Sequence, residues 1–189
     1  MKSISFRDAL GHMGGRAAEG PSHPLLRLAW QAIREHVEGR DPQRLLAALP
    51  SFSPPQACFV SLKIRGRLRG CIGSLTPTQV SLEAEIVAIA LASSQRDPRF
   101  PPVGREELIR IDVSLDLLSA PEPIGSPADL DPRRYGVIVR SGGLSGVLLP
   151  DLPGVTTAEH QIAICRDKAD IAPEASVTLE RFTVVRLGG

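Results

Sequence analysis

Aromatic side chains make up only 4% of this 189-residue chain, with one tryptophan and one tyrosine. A core must therefore be built from Leu, Ile, Val and Ala. Apolar residues at 42% suffice for that, as one domain or two small subdomains. An excess of either charge is also missing. Twenty-two Lys and Arg against 21 Asp and Glu leave a net +1, too little to draw a polyanion or an anionic membrane. Among the longest apolar runs is Ile86 to Ala92, far short of the roughly 20 residues a membrane helix needs. No basic stretch leads into an apolar one at Met1, so no secretion signal is expected and the location reads as cytoplasmic. Three cysteines, at 58, 71 and 165, are odd in number and far apart, which argues against a disulfide frame and for reduced thiols. With no Cys-x-x-Cys and no His-Glu-x-x-His, no metal is expected, and no Gly-x-Gly-x-x-Gly or Walker loop suggests a nucleotide cofactor. There is no cysteine triplet for a radical-SAM cluster, and Leu144-Ser145-Gly146 lacks the spacing of a nucleophile elbow.

What is present reads as helices alternating with hairpins. Residues 1–22 carry four glycines and little periodicity, as a loosely held arm would, and a single domain follows over 23–189. Leu25, Leu28, Ala29 and Ala32 space a helix over Pro24 to Val37, extended by Ile33 and His36 and capped by Ser22. Pro42 to Leu49 suggests a short second helix. Ser81 to Ser94 carries a stripe at Leu82, Ile86, Ile89, Ala90 and Ser93, with Glu83 and Glu85 complementing the helix dipole in its first turn. Ile109 to Leu117 alternates as a half-buried strand, Gly136–Arg140 and Ser145–Leu149 form a hairpin around Ser141-Gly142-Gly143, Thr156 to Lys168 is helical, and Val177 to Leu187 closes the chain as one strand. This order predicts an α+β fold with a mainly antiparallel sheet and flanking helices.

Ala57 to Ile64 and Arg67 to Ser74 form a hairpin whose register can be argued. A two-residue loop at Arg65-Gly66 would mix charged and apolar side chains on both faces. A three-residue loop shifts the pairing by one and sorts them, with Val60, Leu62, Leu68 and Ile72 on one face and Ser61, Lys63, Arg67, Arg69 and Cys71 on the other. Gly66 supplies the left-handed residue of a bulged turn. In this register Cys58 and Cys71 lie on opposite faces and cannot bridge.

Leu68-Arg69-Gly70-Cys71-Ile72-Gly73, Asp97-Pro98-Arg99-Phe100-Pro101-Pro102-Val103 and Ile111-Asp112-Val113-Ser114 together resemble the AMMECR domain. In prokaryotes that domain is AmmeMemoRadiSam system protein A. Gly136-Val137-Ile138-Val139, Leu148-Leu149-Pro150 and the run from Cys165 to Ile171 extend the similarity over roughly Pro24 to Leu187. Two positions depart from the family pattern. Asp151-Leu152 stands where Gln-Val is usual, and Lys168-Ala169-Asp170 where Lys-Ala-Gly is usual. The resemblance implies two subdomains around a cleft, the cysteine motif near that cleft, and links to a Memo-type and a radical-SAM protein. It implies no reaction.

Cys71 reads in two ways. Arg67 or Arg69 on its face could raise its thiolate fraction and make it a nucleophile, or it is a small residue packed between glycines. A nucleophile needs a base, and His160 is the candidate among His12, His23, His36 and His160. Arg69, Gly70, Gly73, Asp97 and Arg99 are the binding candidates, Arg69 and Arg99 as anion-holding forks. The competing reading has Asp97 capping a turn, Arg99 pairing locally and Phe100 anchoring the loop in the core. The expected function is an accessory or binding protein that holds a small molecule, a peptide or a partner segment at the Cys71 cleft. The alternatives are an enzyme with Cys71 as nucleophile and an RNA-binding protein using Lys63, Arg65, Arg67 and Arg69. The last is disfavoured because no aromatic stacking platform lies beside those residues.

Overall fold

The computed structural model describes residues 21–188. The arm expected over 1–22 lies, up to residue 20, outside the described residues. The chain divides into two compact units, the first running to Leu117 and regaining the chain at Arg186, the second spanning Leu118–Val185.

The first unit opens with α1 (Pro24–Val37), whose buried face is Leu26, Leu28, Ala29, Ala32 and Ile33. Its N-cap is His23, not Ser22, because the imidazole Nδ1 accepts the Leu25 N–H at 3.2 Å. His36 falls off the stripe and is exposed. A one-turn helix, α2 (Gln43–Ala47), inserts Leu45 into the core. Helix α3 (Leu82–Gln95) is capped by Ser81, whose hydroxyl accepts the Ala84 N–H. It is buried on more than one face: Ile86, Val87 and Ala90 are fully enclosed, and so is Glu85. The sheet pairs β1 (Cys58–Ile64), β2 (Arg67–Gly73), β3 (Ile111–Leu118) and β8 (Val184–Leu187) in the order β2-β1-β3-β8. Its core face is Cys58, Val60, Leu62, Val113 and Leu115, packed on α1 and α3. Each such enclosed aliphatic side chain contributes roughly 1.5–3 kcal/mol of hydrophobic stabilisation.

The β1–β2 register differs near the turn from the expected one. Arg65 and Gly66 both have positive φ, 52° and 74°, the signature of a two-residue hairpin turn that matches strand twist. Ile64 pairs with Arg67 and Lys63 with Leu68; the one-residue shift that sorts the faces then comes from a bulge at Leu62/Lys63. Beyond it Leu62 meets Gly70, Ser61 meets Cys71 and Val60 meets Ile72. Leu68, before the bulge, is 44% exposed and does not join the core face. Ile109 is a second correction. It sits in a 3₁₀ turn, Arg105–Arg110, and is 80% exposed; β3 begins at Ile111.

The second unit contains β4 (Glu122–Ile124), β5 (Gly136–Ser141), β6 (Leu144–Leu148), helix α4 (Ala158–Lys168) and β7 (Thr178–Phe182), with sheet order β4-β7-β5-β6. Val137, Val139, Ile162 and Cys165 centre its core. The single closing strand expected over Val177–Leu187 breaks at Thr183. There Ser119 takes both main-chain groups, its N–H donating to Thr183 O and its hydroxyl accepting Thr183 N–H, each at 3.0 Å. Thus β7 belongs to the second sheet and β8 to the first. Two antiparallel sheets with flanking helices make the fold α+β. No described helix is long and apolar enough to cross a membrane.

Asp170 ends α4 at φ 54°, and Ile171 N–H reaches back to Arg166 O at 2.9 Å, a Schellman-type close that favours glycine at that position. We expect Asp170→Gly to raise stability by about 1 kcal/mol, measured by urea unfolding, because a left-handed residue with a Cβ carries that strain. No gain would mean that the aspartate side chain contributes what the backbone loses.

Candidate functional site

The site begins with a close approach. A Cβ on Gly70 would run into the Ser93 main-chain oxygen, so only glycine lets α3 lie against β2 here. Ser93 uses that proximity. Its hydroxyl accepts the Ile72 N–H at 3.0 Å and donates to Val60 O at 2.9 Å, bridging the two strands from the helix. Gly73 has a similar constraint, with the Phe59 ring where its side chain would go. Both glycines expected to bind a ligand are thus packing positions.

Two residues beyond the end of α3, Asp97 turns back to the strand. Its Oδ2 accepts the Cys71 N–H at 2.8 Å, and its two oxygens accept Arg99 Nε and Nη2 at 2.9 and 2.7 Å. Arg99 Nη2 also donates to Cys71 O at 3.0 Å. Both main-chain groups of Cys71 are therefore held by one carboxylate–guanidinium pair. Asp97 is only 4% exposed, whereas the Arg99 side chain is 54% exposed. Arg99 holds the Asp97 carboxyl well below the usual carboxylate range, and Asp97 in turn raises Arg99, with a smaller contribution from Cys71.

The Cys71 side chain leaves on the face away from α3. It is half-buried, and the Ser61 hydroxyl donates to its sulfur at 3.2 Å. Arg69 does not present an open fork. It binds Glu107 through Nε at 2.7 Å and Nη2 at 2.9 Å, and Glu107 is lowered chiefly by that bond. Phe100 is half-buried rather than a core anchor, its ring flanked by the guanidiniums of Arg69 and Arg99 at 5.9 and 5.6 Å from its centroid. Cys71, Arg69, Gly70, Gly73, Asp97 and Arg99 thus share one edge of the first unit. His160 belongs to the second unit, exposed on the first turn of α4, where its N–H donates to the Thr157 hydroxyl. The structure describes no bond that orients its imidazole.

Several contributors meet partners that no local pattern reveals. Ser61, Ser93 and Glu107 act over sequence separations of 10 to 38 residues. Glu83 and Glu85, expected as dipole partners in the first turn of the helix, are buried at 2% and 0% exposure. Glu83 accepts the Ser53 N–H and hydroxyl. Glu85 accepts the Ser74 hydroxyl at 2.6 Å and the Thr78 and Gln79 N–H groups, both at 2.8 Å, fixing the loop after β2. A groove of about 700 Å³ in the same unit is lined by Trp30, Lys63, Ile109 and Asp112, with Cys71 outside its lining. No cluster of three or more His, Cys, Asp or Glu side chains among the described residues could hold a metal ion.

The AMMECR1 family model matches residues 26–187. The chain belongs to the AMMECR1 family. It is 42% identical over 168 residues to a Thermotoga maritima protein, covering 87% of this chain and 97% of that one. It is also 47% identical over 128 residues to the Clostridium acetobutylicum protein CA_C1420, a match covering 68% of this chain but only 27% of that longer protein. Among solved structures, uncharacterised protein PH0010 of Pyrococcus horikoshii superposes with a TM-score of 0.75 at 30% identity, over 86% of this chain and 88% of that one. Nothing in these names assigns a reaction to this AMMECR1-family chain.

Burial pushes the Cys58 and Cys165 thiols up to about 12, the second partly offset by Lys168. Native protein treated with iodoacetamide at pH 7 should therefore take one adduct, at Cys71, and three only after unfolding, as read by mass spectrometry. Two adducts on native protein would overturn this placement of the thiols. Asp97 gives a pH prediction. Its folded pKa lies below its ordinary 3.8, so its stabilisation is complete above that value and is lost as pH falls through the folded pKa. Asp97→Asn should cost about 2 kcal/mol at pH 7 and flatten the decline of stability below pH 4, measured by denaturant titration across pH.

Proposed function

We propose that this AMMECR1-family protein is an accessory binding protein that presents the Cys71 face of its first sheet to a small molecule or an extended segment of a partner. The observation that carries this reading is the division of labour at Cys71. Its main chain is fixed by Asp97 and Arg99, while its thiol stays half-exposed. A rigid backbone with a free side chain suits recognition, since little entropy is lost on binding. The neighbouring charges are already spent, Arg69 on Glu107 and Arg99 on Asp97, which leaves little to drive acid–base chemistry. Partner classes come from the AMMECR resemblance: Memo-type and radical-SAM proteins. The Clostridium relative supports a physical link to other domains, because this domain matches only about a quarter, 27%, of its length. A reducing, cytoplasmic setting suits the three unbridged thiols.

The enzyme reading, with Cys71 as nucleophile and His160 as base, rests on one observation, the Arg99 guanidinium beside Cys71. Two measurements separate the readings. Co-expressed Memo-type and radical-SAM proteins should co-purify with the native chain and bind Cys71→Ser at least tenfold more weakly by titration calorimetry. Iodoacetamide should label Cys71 no faster than it labels glutathione. Faster labelling that slows in His160→Ala would favour the enzyme; affinity unchanged in Cys71→Ser would sink the binding reading.

A further inference from the structure

Among the described residues the first sheet ends at β2, and an unpaired edge is a template for strand addition. Which groups of β2 face outward follows from its pairing. Ser74 N–H donates to Cys58 O at 3.0 Å, so at this end of the hairpin the even-numbered residues point their main-chain groups toward β1. In an antiparallel ladder alternate residues point the other way. Cys71, opposite Ser61, therefore turns its N–H and C=O out of the sheet. Those two groups are the ones Asp97 and Arg99 take, at 2.8 and 3.0 Å. The carboxylate supplies the acceptor and the guanidinium the donor that one residue of a neighbouring strand would offer.

We propose that Asp97 and Arg99 stand in for a missing fifth strand and bar a second copy of this chain from adding its β2 to the edge. A second copy is the competitor the edge must exclude, since its matching edge is present at equal concentration. Antiparallel β2–β2 pairing centred on Cys71 would be self-complementary about a two-fold axis. Leu68, 44% exposed and paired with Lys63 away from the core face, would give such a ribbon an apolar patch. The device is independent of what the Cys71 thiol binds. The plug sits in the plane of the sheet and the thiol leaves from its outer face.

Hydrogen exchange and light scattering test the proposal on the full chain. In Asp97→Ala the Cys71 amide should exchange roughly 10- to 100-fold faster, the loss of one hydrogen bond to a charged acceptor. The variant should also self-associate with concentration more than the native protein does. Arg99→Ala, which keeps the carboxylate, should associate to a smaller extent, and carries the test if Asp97→Ala does not fold. Adding Leu68→Lys, a charge on the exposed edge, should return either variant to the native state of association. Unchanged association, or unchanged Cys71 exchange, in a cooperatively folded Asp97→Ala would overturn the proposal. So would association that Leu68→Lys fails to reverse.

Discussion

The buried Asp97 carboxylate is the contact on which the rest of this site depends. It joins the C-terminal end of α3 to the edge of β2 by accepting the Cys71 N–H, and it holds Arg99 so that the guanidinium reaches Cys71 O. A carboxylate at 4% exposure is tolerated only because its oxygens are met by charged and main-chain donors. The geometry also has a steric precondition. α3 must come close enough for the residues after it to reach the edge, and the missing side chain at Gly70 allows that approach. Ser93 then fastens helix to strands from inside, and Asp97 fastens the following loop to strand from outside.

Fixing Cys71 from its main chain has a consequence for its side chain. Nothing in the bracket uses the sulfur, which meets the Ser61 hydroxyl on the other side of the strand. The arginines that flank Phe100 are committed to Glu107 and Asp97, so the surroundings of the thiol are ordered without being strongly charged overall. The two thiols that are buried, Cys58 and Cys165, are held protonated by desolvation. Burial and backbone geometry together single out one cysteine of three.

Much of the secondary structure was legible because burial is periodic. Leu28, Ala29 and Ala32 mark Pro24–Val37 as a helix, and Ile86, Ile89 and Ala90 mark α3. The hairpin shows where legibility stops. Sorting of faces demanded a one-residue shift, and the shift is there, but at a bulge rather than in the turn. A pattern of side chains constrains the sum of turn and bulge and is silent on how the two divide it. Ile109 departs for a related reason: alternation continues through it, while Glu107 accepts the Gly104 N–H in a 3₁₀ turn and is held to β2 by Arg69, 38 residues away. Thr183 escaped because its two backbone bonds go to Ser119, 64 residues away. Candidate residues were found by chemistry, whereas their roles were set by partners distant in sequence. Arg69 looked available until Glu107 stood beside it.

The same logic favours binding over catalysis at this edge. A nucleophilic site gains from charges aimed where charge develops in the transition state. Here the local charges are aimed at one another and at the Cys71 main chain, an arrangement that stabilises the resting fold. Recognition gains from that arrangement, because a surface already ordered loses little entropy when a partner arrives. Activation of the thiol calls for a base brought to this edge, since the charges beside it, Arg69 and Arg99, are already engaged with Glu107 and Asp97.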